Sequence, residues 1–478
     1  MSEKQPHILL ITTDELRRDA LGCYGQKAIE TPNLDALAAQ ATQFEAAFTN
    51  SPLCLPSRST ILTGLYPHNS RAYSNFRPCP LNPQLPNIYN VLKNNGYRTA
   101  HVGKCHYTPT PEGGTDNATV DLENVKDFYL SLGLDHLTLQ NGKMNSVQFY
   151  NDYSRELEAA GHLPAYREAA NARKKNGRMF PFTGPDEWHP DAWVGRKAVE
   201  YIESQAIQKP QFLWVSFSGP HYPFDAPQSY YKRVDVSKLK PLAFREGEFD
   251  NSKIQSPAYH GGGENMGLAE GKNSAPGSAC KNFTEEYWKQ LQVAYLANVA
   301  LIDDWVGKII AAAKKVYGDD LMVIFTTDHG EMAGNHHLWG KNSCGYEDVL
   351  NIPLLVQFPG QKQHQSSKAR VMLMDLMPTC AGVAGVETPP VDGRDLRTSM
   401  QDGGYPIVLS ECDGMTIIAD GEFKYIQYQQ KGREMCEAYD LLKDPHEFEN
   451  VANDPAYMGQ VSRMRGLLAG VFMRDFLK

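Results

Sequence analysis

The segment HILLITT, residues 7–13, decides the fold class of this chain. It is short, rich in branched apolar residues and without a clean polar alternation, and Asp14 follows it directly. Such a run is typical of a strand that is buried on both faces of a parallel sheet. The same character is found in TAHVG (99–103), QFLWVSF (211–217), LMVIFTT (321–327) and PLLVQF (353–358). These runs predict a largely parallel central sheet.

Helical patterns lie between the strand-like runs. Helices are predicted from Thr31-Pro32 to about residue 40, over 85–95, over 192–204, and from a Thr284 cap toward residue 313. Strands that alternate with helices indicate an α/β fold in which helices sandwich the sheet. Near the end of the chain the pattern changes to a hairpin over 415–428 and a helix near 458–476.

These patterns predict two domains. The main α/β domain takes residues 1–384, with long polar insertions near 107–190 and 225–282. A small α+β subdomain, built on an antiparallel sheet, takes residues 385–478. Polar insertions between core elements often carry substrate-binding loops, so both are candidates for that role.

The composition excludes several classes of protein. The 478 residues carry a formal charge of −9, which argues against a nucleic-acid binder or a basic membrane-surface protein. No apolar run approaches the roughly 18–20 residues of a membrane-spanning helix. The nine cysteines are odd in number and scattered, which does not indicate a disulfide framework. The first strand begins without a signal-peptide pattern, so a cytoplasmic location is expected, or a periplasmic or secreted one if a leader has been removed; a homo-oligomer is left open.

Polar side chains with reactive groups follow the carboxyl ends of four predicted strands. They are Asp14, Lys104 with His106, His221, and Asp328 with His329. Each residue alone could be a helix cap or a core histidine. Because ligands of open α/β sheets bind outside the carboxyl ends of the strands, the set together predicts one shared site.

The segment CLPSRSTILTG, residues 54–64, is the most informative in the chain. Pro56 suits the first turn of a helix and would place Cys54 at its N-terminus, where free N–H groups favour an anion. Arg58 adds a fixed positive fork one turn later. Two alternatives remain on these residues alone: a buried structural cysteine, and a thiolate nucleophile like that of tyrosine phosphatases, whose spacing is Cys-x5-Arg and not the Cys-x3-Arg found here.

This segment matches the C-x-P-S-R-x-x-x-L-T-G signature of the type I sulfatases. Further segments resemble the same family: GKCH (103–106), with Cys105 where an aromatic residue is usual, GPHYP (219–223), DHGEM (328–332), LWGK (338–341) and YDLLKDP (439–445). The resemblance extends over nearly the whole chain except the two insertions. It implies an alkaline phosphatase-like fold and the activity of a sulfuric ester hydrolase.

The resemblance also implies the cofactors. A formylglycine-generating enzyme would convert Cys54 to formylglycine, whose hydrate is the nucleophile, and a divalent metal would be bound by Asp14, Glu15, the residue at position 54, Asp328 and His329. Ca²⁺ is expected ahead of Mg²⁺ because most of these ligands are oxygens, whereas the imidazole leaves Mn²⁺ and Zn²⁺ open. Glu15 departs from the family, since many sulfatases carry a second Asp there and bacterial relatives resembling choline sulfatase and phosphonate monoester hydrolase carry Gln.

The family's remaining catalytic roles can be carried over residue by residue. Arg58, Lys104 and Lys341 would neutralise the charge of the sulfate, and His221 and Lys341 are the candidate proton donors to the leaving alcohol. His106 would take the proton that releases sulfate from the nucleophile. A further set stands as substrate contacts or as a loop wall without chemistry: His336, His337 and Trp339.

The predicted function is hydrolysis of carbohydrate or aryl or alkyl sulfate monoesters by a bacterial-type sulfatase, with no nucleic-acid or membrane partner. Lys104 and His106 support it, because relatives resembling phosphonate monoester hydrolase carry Tyr and Thr in their place. The first alternative is a phosphonate monoester or phosphodiester hydrolase of the same superfamily. The second is a non-catalytic anion-binding protein in which Cys54 stays a thiol.

Overall fold

A computed structural model describes residues 5–75, 79–108, 123–143, 146, 149–176, 179–250, 280–341, 345–412, 414–430 and 433–476. Eight strands form the main sheet in the order β4-β3-β5-β1-β6-β7-β2-β8. In chain order they are β1 (His7–Asp14), β2 (Thr42–Phe48), β3 (Arg98–Gly103), β4 (His136–Leu139), β5 (Gln211–Pro220), β6 (Leu321–Thr327), β7 (Leu354–Gln357) and β8 (Gln365–Met372). All neighbouring pairs are parallel except those of β7, which runs antiparallel to β6 and β2. The predicted α/β class with a largely parallel sheet is confirmed.

Helices cover both faces of this sheet. They are α1 (Pro32–Ala38), α2 (Cys54–Thr63), α3 (Pro67–Ser70), α4 (Ile88–Asn94), α5 (Glu123–Ser131), α6 (Asp152–Ala159), α7 (Leu163–Asn176), α8 (Pro190–Glu203), α9 (Gln228–Tyr231), α10 (Glu285–Tyr317), α11 (Glu347–Leu350), α12 (Leu376–Val383), α13 (Leu396–Asp402) and α14 (Met458–Phe476). Within the described part of the chain, no helix combines the length and the apolar character that a membrane crossing needs.

Strand β1 shows why the sheet is buried on both sides. Its side chains alternate between two apolar clusters, with Leu9 and Ile11 in the cluster that contains α8 and α10 residues, and Ile8 and Leu10 in the cluster that contains α2, α4 and α12 residues. All residues of β1 are buried. A strand with two buried faces cannot alternate apolar and polar residues, which explains the continuous run in the sequence.

Three strands of the main sheet were missed by the sequence patterns. β4 and β8 lie at the edges of the sheet and are partly exposed, with several polar residues, and β2 contains Glu45 at a half-buried position. The first predicted insertion therefore contributes β4 to the sheet, paired in parallel with β3. Residues 109–122 of that insertion and 251–279 of the second lie outside the described residues.

A separate antiparallel sheet lies near the C-terminus. Its strands are β9 (Val408–Cys412), β10 (Met415–Ala419), β11 (Phe423–Gln430) and β12 (Arg433–Asp440), in the order β12-β11-β10-β9. The predicted hairpin is β10 and β11, and the predicted last helix is α14. The antiparallel sheet is thus confirmed, while the domain boundary near residue 385 stays a prediction.

Candidate active site

The carboxyl ends of β1, β3, β5 and β6 bring the predicted residues to one edge of the sheet, and the N-terminus of α2 faces them. Cys54, the first residue of α2, places its Sγ 3.5 Å from Asp14 Oδ1 after β1 and 3.2 Å from His329 Nε2 after β6. Asp14, Asp328 and His329 are fully buried, and Cys54 is 2% exposed. Residues far apart in the chain thus form one buried constellation.

Four of these side chains form a group that could hold a metal ion. Asp14, Cys54, Asp328 and His329 each offer one ligand atom, and these atoms lie within 4.8 Å of one another. Glu15 is not in this group; it forms a second one with Asp14 and His221. Glu15 therefore lies outside the group of four, and its assignment as a metal ligand stays a prediction.

The hydrogen bonds of the group fit a bound cation. One oxygen of each carboxylate is taken by a cation of the protein, since Lys104 Nζ pairs with Asp14 Oδ2 and Arg58 Nε donates to Asp328 Oδ2 at 2.8 Å. The other oxygens face His329 Nε2, with Asp328 Oδ1 at 3.7 Å and Asp14 Oδ1 at 3.9 Å. Such a set of carboxylate oxygens and imidazole nitrogen suits a divalent metal.

The tautomer of His329 supports the same fit. Its Nδ1 lies 3.0 Å from the carbonyl oxygen of Gly330, which can only accept, so Nδ1 carries the proton. In the neutral imidazole, Nε2 then has its lone pair toward the group. Metal-binding histidines usually donate their second ring N–H to a carbonyl or a carboxylate in this way.

Arg58 connects α2 to the carboxyl edge of the sheet. Its guanidinium is fully buried and donates to Asp328, to the carbonyl oxygen of Lys104 at 2.9 Å and to Ser216 Oγ at 2.6 Å.

Burial and the Asp14 carboxylate raise the pKa of the Cys54 thiol, but Lys104, Lys341 and His329 lower it, and the net shift is downward. The positive charges around position 54 therefore stabilise negative charge there.

Lys104 and His106 reach the site through a strained turn at the end of β3. Gly103 has φ +111°, and a Cβ on it would lie 1.9 Å from the carbonyl oxygen of Ser216. His106 itself has a left-handed backbone, with φ +58°, so the chain does not continue as an extended strand at this residue. Burial first, and then Lys104 and Arg58, hold the pKa of His106 well below its usual range, which keeps the imidazole neutral.

Lys341, His221 and Glu15 form the opposite side of the site. Lys341 Nζ lies 2.7 Å from His221 Nε2 and 3.1 Å from Glu15 Oε2. His221 Nδ1 lies 2.7 Å from the carbonyl oxygen of Tyr222, so Nδ1 is the protonated nitrogen and Nε2 accepts from Lys341. Burial and then Lys341 hold the pKa of His221 well below its usual range. In the hydrogen bond between these two side chains, the proton therefore belongs to Lys341.

The three residues predicted as substrate contacts or a loop wall lie in the loop after β6, and their surroundings differ. His336 is buried, its Nδ1 is 2.9 Å from Glu248 Oε2, and its ring stacks on Tyr346. His337 stacks on Phe244 with 3.6 Å between ring centroids. Only Trp339 has a described contact toward the site, because its ring meets that of Tyr222, the neighbour of His221, at 5.5 Å.

Several residues that shape the site were not found from the sequence. Ser216 accepts from Arg58, Asn75 Oδ1 accepts from the backbone N–H of Leu55 at 2.9 Å, and Tyr295 Oη donates to the carbonyl oxygen of Glu15 at 2.9 Å. Ser216 carried a weak signal as a polar residue within an apolar strand. Nothing in the local sequence distinguished Asn75 or Tyr295 from ordinary loop and helix residues.

Comparisons with known proteins agree with this geometry. A family model described as sulfatase matches residues 6–386. The chain is 28% identical to the multifunctional alkaline phosphatase superfamily protein PehA of Trinickia caryophylli, over 95% of this chain and 93% of that protein. It is 27% identical to an arylsulfatase of Clostridium perfringens, over 97% of this chain and 94% of that protein.

A solved structure shows the same fold. The phosphonate monoester hydrolase of Agrobacterium radiobacter aligns with a TM-score of 0.78 at 23% identity, covering 98% of this chain and 96% of that chain. This chain therefore combines the sheet order and the separate C-terminal sheet described above with a match to the family model over most of its length. The buried constellation at Cys54 lies within the matched residues. The chain belongs to the sulfatase family, and its match to relatives named arylsulfatase supports the activity of a sulfuric ester hydrolase.

Proposed function

We propose that this protein hydrolyses sulfate monoesters with formylglycine, formed from Cys54, as nucleophile and with a divalent metal. The observation that carries the proposal is the position of Cys54: it begins α2 and lies within hydrogen-bond reach of Asp14 and His329. The positive charges of Lys104 and Lys341 lower the pKa of its thiol. Asp14, Asp328 and His329 would hold the metal together with the residue at position 54, and Ca²⁺ is the expected ion because hard cations prefer oxygen.

The cations of the protein supply most of the substrate binding. Arg58, Lys104 and Lys341 are all buried and converge on the site from α2, β3 and the loop after β6. When bound, the metal withdraws charge from the sulfate, and formylglycine supplies a second hydroxyl that a serine or cysteine lacks. Fixed positive groups in a site that excludes water stabilise developing negative charge strongly, because they need no reorganisation during the reaction.

Two pairs of residues would handle protons. On the leaving-group side, Lys341 donates toward His221 Nε2 at 2.7 Å, so the pair can pass a proton to the departing alcohol. On the nucleophile side, His106 is neutral and buried near Lys104, and so can accept the proton that is lost when sulfate is released. The substrate class is a sulfated saccharide or an aryl or alkyl sulfate.

A specific observation favours a second candidate, a phosphonate monoester or phosphodiester hydrolase. Glu15 and His329 resemble that branch at the metal position more than sulfatases with two successive aspartates, whereas Lys104 and His106 resemble the sulfatases. Comparing kcat/KM for 4-nitrophenyl sulfate and 4-nitrophenyl phenylphosphonate keeps the leaving group constant. We expect the sulfate to be the better substrate; a clear preference for the phosphonate would overturn this proposal.

The state of Cys54 distinguishes an enzyme from an anion-binding protein. Protein produced with a maturation enzyme should show a Cys54 peptide about 18 Da lighter, as expected when the thiol becomes an aldehyde. Cys54→Ala should lose activity by orders of magnitude with its fold intact. Cys380→Ala, which removes another fully buried thiol, on α12, is the matched control and should retain activity. Full activity of a protein with an unmodified Cys54 thiol would show that formylglycine is not the nucleophile.

A further inference from the structure

A second buried ionic cluster lies beside the candidate site. We call it the Lys143 cluster and define it by Lys143, Asp191, Asp225 and His189, whose side chains are fully buried. Lys143 Nζ donates to Asp225 Oδ1 at 2.7 Å and lies 3.4 Å from Asp191 Oδ2. His189 Nε2 lies 3.1 Å from Asp225 Oδ1. The roles proposed above for the active-site residues do not use any of these groups.

The cluster holds the end of β5, directly before the loop that carries His221. Asp191 Oδ1 accepts from the backbone N–H groups of Ser218, at 2.9 Å, and Gly219, at 2.8 Å. A side chain at Gly219 would collide with Asp191, because its Cβ would lie 2.4 Å from Asp191 Oδ2. The carboxylate therefore fits against the main chain just before Pro220 and His221.

The same cluster holds the end of that loop. Lys143 Nζ donates to the carbonyl oxygen of Pro223 at 3.2 Å, and Asp225 belongs to the segment itself. Between these two anchors, the backbone N–H of His221 donates to the carbonyl oxygen of Asp14 at 3.0 Å. The Lys143 cluster thus holds the main chain before and after His221, and β1 holds His221 itself through its backbone N–H.

Burial of so many charges needs a reason other than stability. Replacing a buried ion pair by apolar residues of similar volume is often neutral or stabilising, because desolvation offsets the Coulomb attraction. A buried polar network favours one geometry, since alternatives leave more of its groups unpaired. In the Lys143 cluster, Asp191 Oδ2 is the one carboxylate oxygen that is held by ion pairing, at 3.4 Å from Lys143 Nζ, and not by a hydrogen bond. The geometry specified here is that of the loop at His221.

We propose that the Lys143 cluster is a positioning device that keeps His221 against Lys341, and so sets the efficiency of proton donation to the leaving group. This inference rests on the proposed function. Lys143, Asp191 and Asp225 are positioning residues, because they act through the loop and the structure shows no contact between them and the metal group.

The test measures how strongly the rate depends on the leaving group. An aryl sulfate with a good leaving group, 4-nitrophenyl sulfate, needs little help from an acid, whereas phenyl sulfate needs it in the transition state. For matured Lys143→Met we expect kcat on phenyl sulfate to fall about 10- to 100-fold, kcat on 4-nitrophenyl sulfate to fall less than about 3-fold, and KM to stay nearly constant. His221→Ala should show the same pattern.

The chain offers a matched control. Lys424 is also fully buried and pairs with two carboxylates, those of Glu347 and Glu447, but it lies on β11 in the C-terminal sheet. Lys424→Met should lower stability without changing the ratio of the two rates. Equal losses on both esters in Lys143→Met, or a change of the ratio in Lys424→Met, would overturn the proposal.

A milder variant decides the case if Lys143→Met does not fold. Tyr166 Oη donates to Asp225 Oδ2 at 2.9 Å, and Tyr166→Phe removes only that bond. A selective loss on phenyl sulfate supports the proposal, and an unchanged ratio overturns it. If the wild type prefers phosphonates, the same two leaving groups are compared as esters of phenylphosphonate. The proposed sulfatase function is then wrong, but the positioning role of the Lys143 cluster is still tested. A wild type without either activity would overturn both.

Discussion

Asp14 and Asp328 each direct one carboxylate oxygen toward a cationic side chain and the other toward the candidate metal group. Lys104 and Arg58 take one oxygen of each, and the other oxygens face His329. Burial alone would raise the pKa of Asp14, but Lys104, then His221 and Arg58, hold it well below its usual range. The carboxylate is therefore ionised before any metal binds, as a ligand must be.

Asp328→Asn should reduce both metal content and turnover. The change removes one negative charge from the group and takes away the carboxylate that accepts from Arg58 Nε, which leaves Arg58 only its longer ion pair with Asp14 at 3.8 Å. We expect less than stoichiometric metal by mass spectrometry of the purified protein, and a loss of turnover of at least about 100-fold. The matched control is Asp303→Asn, another fully buried carboxylate, on α10, which should retain metal. Unchanged metal content in Asp328→Asn would show that the metal lies elsewhere.

His106 gives a prediction for the pH dependence of activity. Its pKa in the folded protein is below 6.5, because burial and the neighbouring cations disfavour the charged ring. The neutral base is thus already present at pH 6.5, and protonation of His106 reduces kcat only at lower pH. A profile of kcat from pH 5 to 8 should therefore lack an inflection from His106 at or above pH 6.5. Finding such an inflection in the wild type, and losing it in His106→Asn, would contradict this role.

At the scale of elements, the end of β3 decides where Lys104 lies. Gly103 is packed directly on the backbone of β5 and has a positive φ, so it combines two requirements that only glycine meets. The strand must end there for Lys104 to turn toward Asp14. The spacing in the sequence located the residue, but the contact with Ser216 fixes its direction.

Gly103→Ala should lower both stability and activity. The added Cβ would force β3 and β5 apart and move Lys104 away from Asp14, so we expect kcat/KM to fall at least about 10-fold. Gly96→Ala is the control, because Gly96 also has a positive φ, +93°, but has no atom within 4 Å of the added Cβ. Gly96→Ala should lose only about 1–2 kcal/mol of stability to backbone strain. Equal effects of the two changes on kcat/KM would refute the role of the close contact.

At the scale of the whole molecule, Lys424 connects the C-terminal sheet to the segment between β6 and β7 of the main sheet. From β11 its Nζ bonds Glu347 of α11 and Glu447, each at 2.7 Å, and the carbonyl oxygen of Gly345 at 2.9 Å. Glu347 and Gly345 lie between β6 and β7 of the main sheet. The two sheets are therefore joined by a buried ionic contact as well as by apolar packing.

Lys424→Met should destabilise the protein by about 3–5 kcal/mol, because it leaves the buried Glu447 and the half-buried Glu347 near each other without a cation. Chemical denaturation followed by fluorescence measures this loss. Since Lys424 has no described contact with the residues at Cys54, kcat/KM below the unfolding transition should stay close to that of the wild type. A stable Lys424→Met variant would show that apolar packing alone joins the sheets.

The sequence by itself determined the sheet core and the inventory of reactive residues. β6 coincides with its predicted residues, and β1 differs by one residue, because strands buried on both faces must be continuous apolar runs. The resemblance over residues 54–64 identified the family, which the match over 6–386 confirms. The edge strands β4 and β8 could not be recognised, because they are partly exposed to solvent and therefore lack a continuous apolar run. Their stability comes from pairing with the neighbouring strand.

Only the tertiary structure decided which reactive groups act as partners. Arg58 meets Asp328 across 270 positions of sequence, and Lys341 meets Glu15 across 326. Local patterns carry no information about such contacts, because hydrogen bonds at this distance in the chain depend on how the whole sheet is ordered. The Lys143 cluster shows the same limit: its lysine comes from a segment read as an insertion, and its charges pair only once α8, β5 and the β4 turn have packed together.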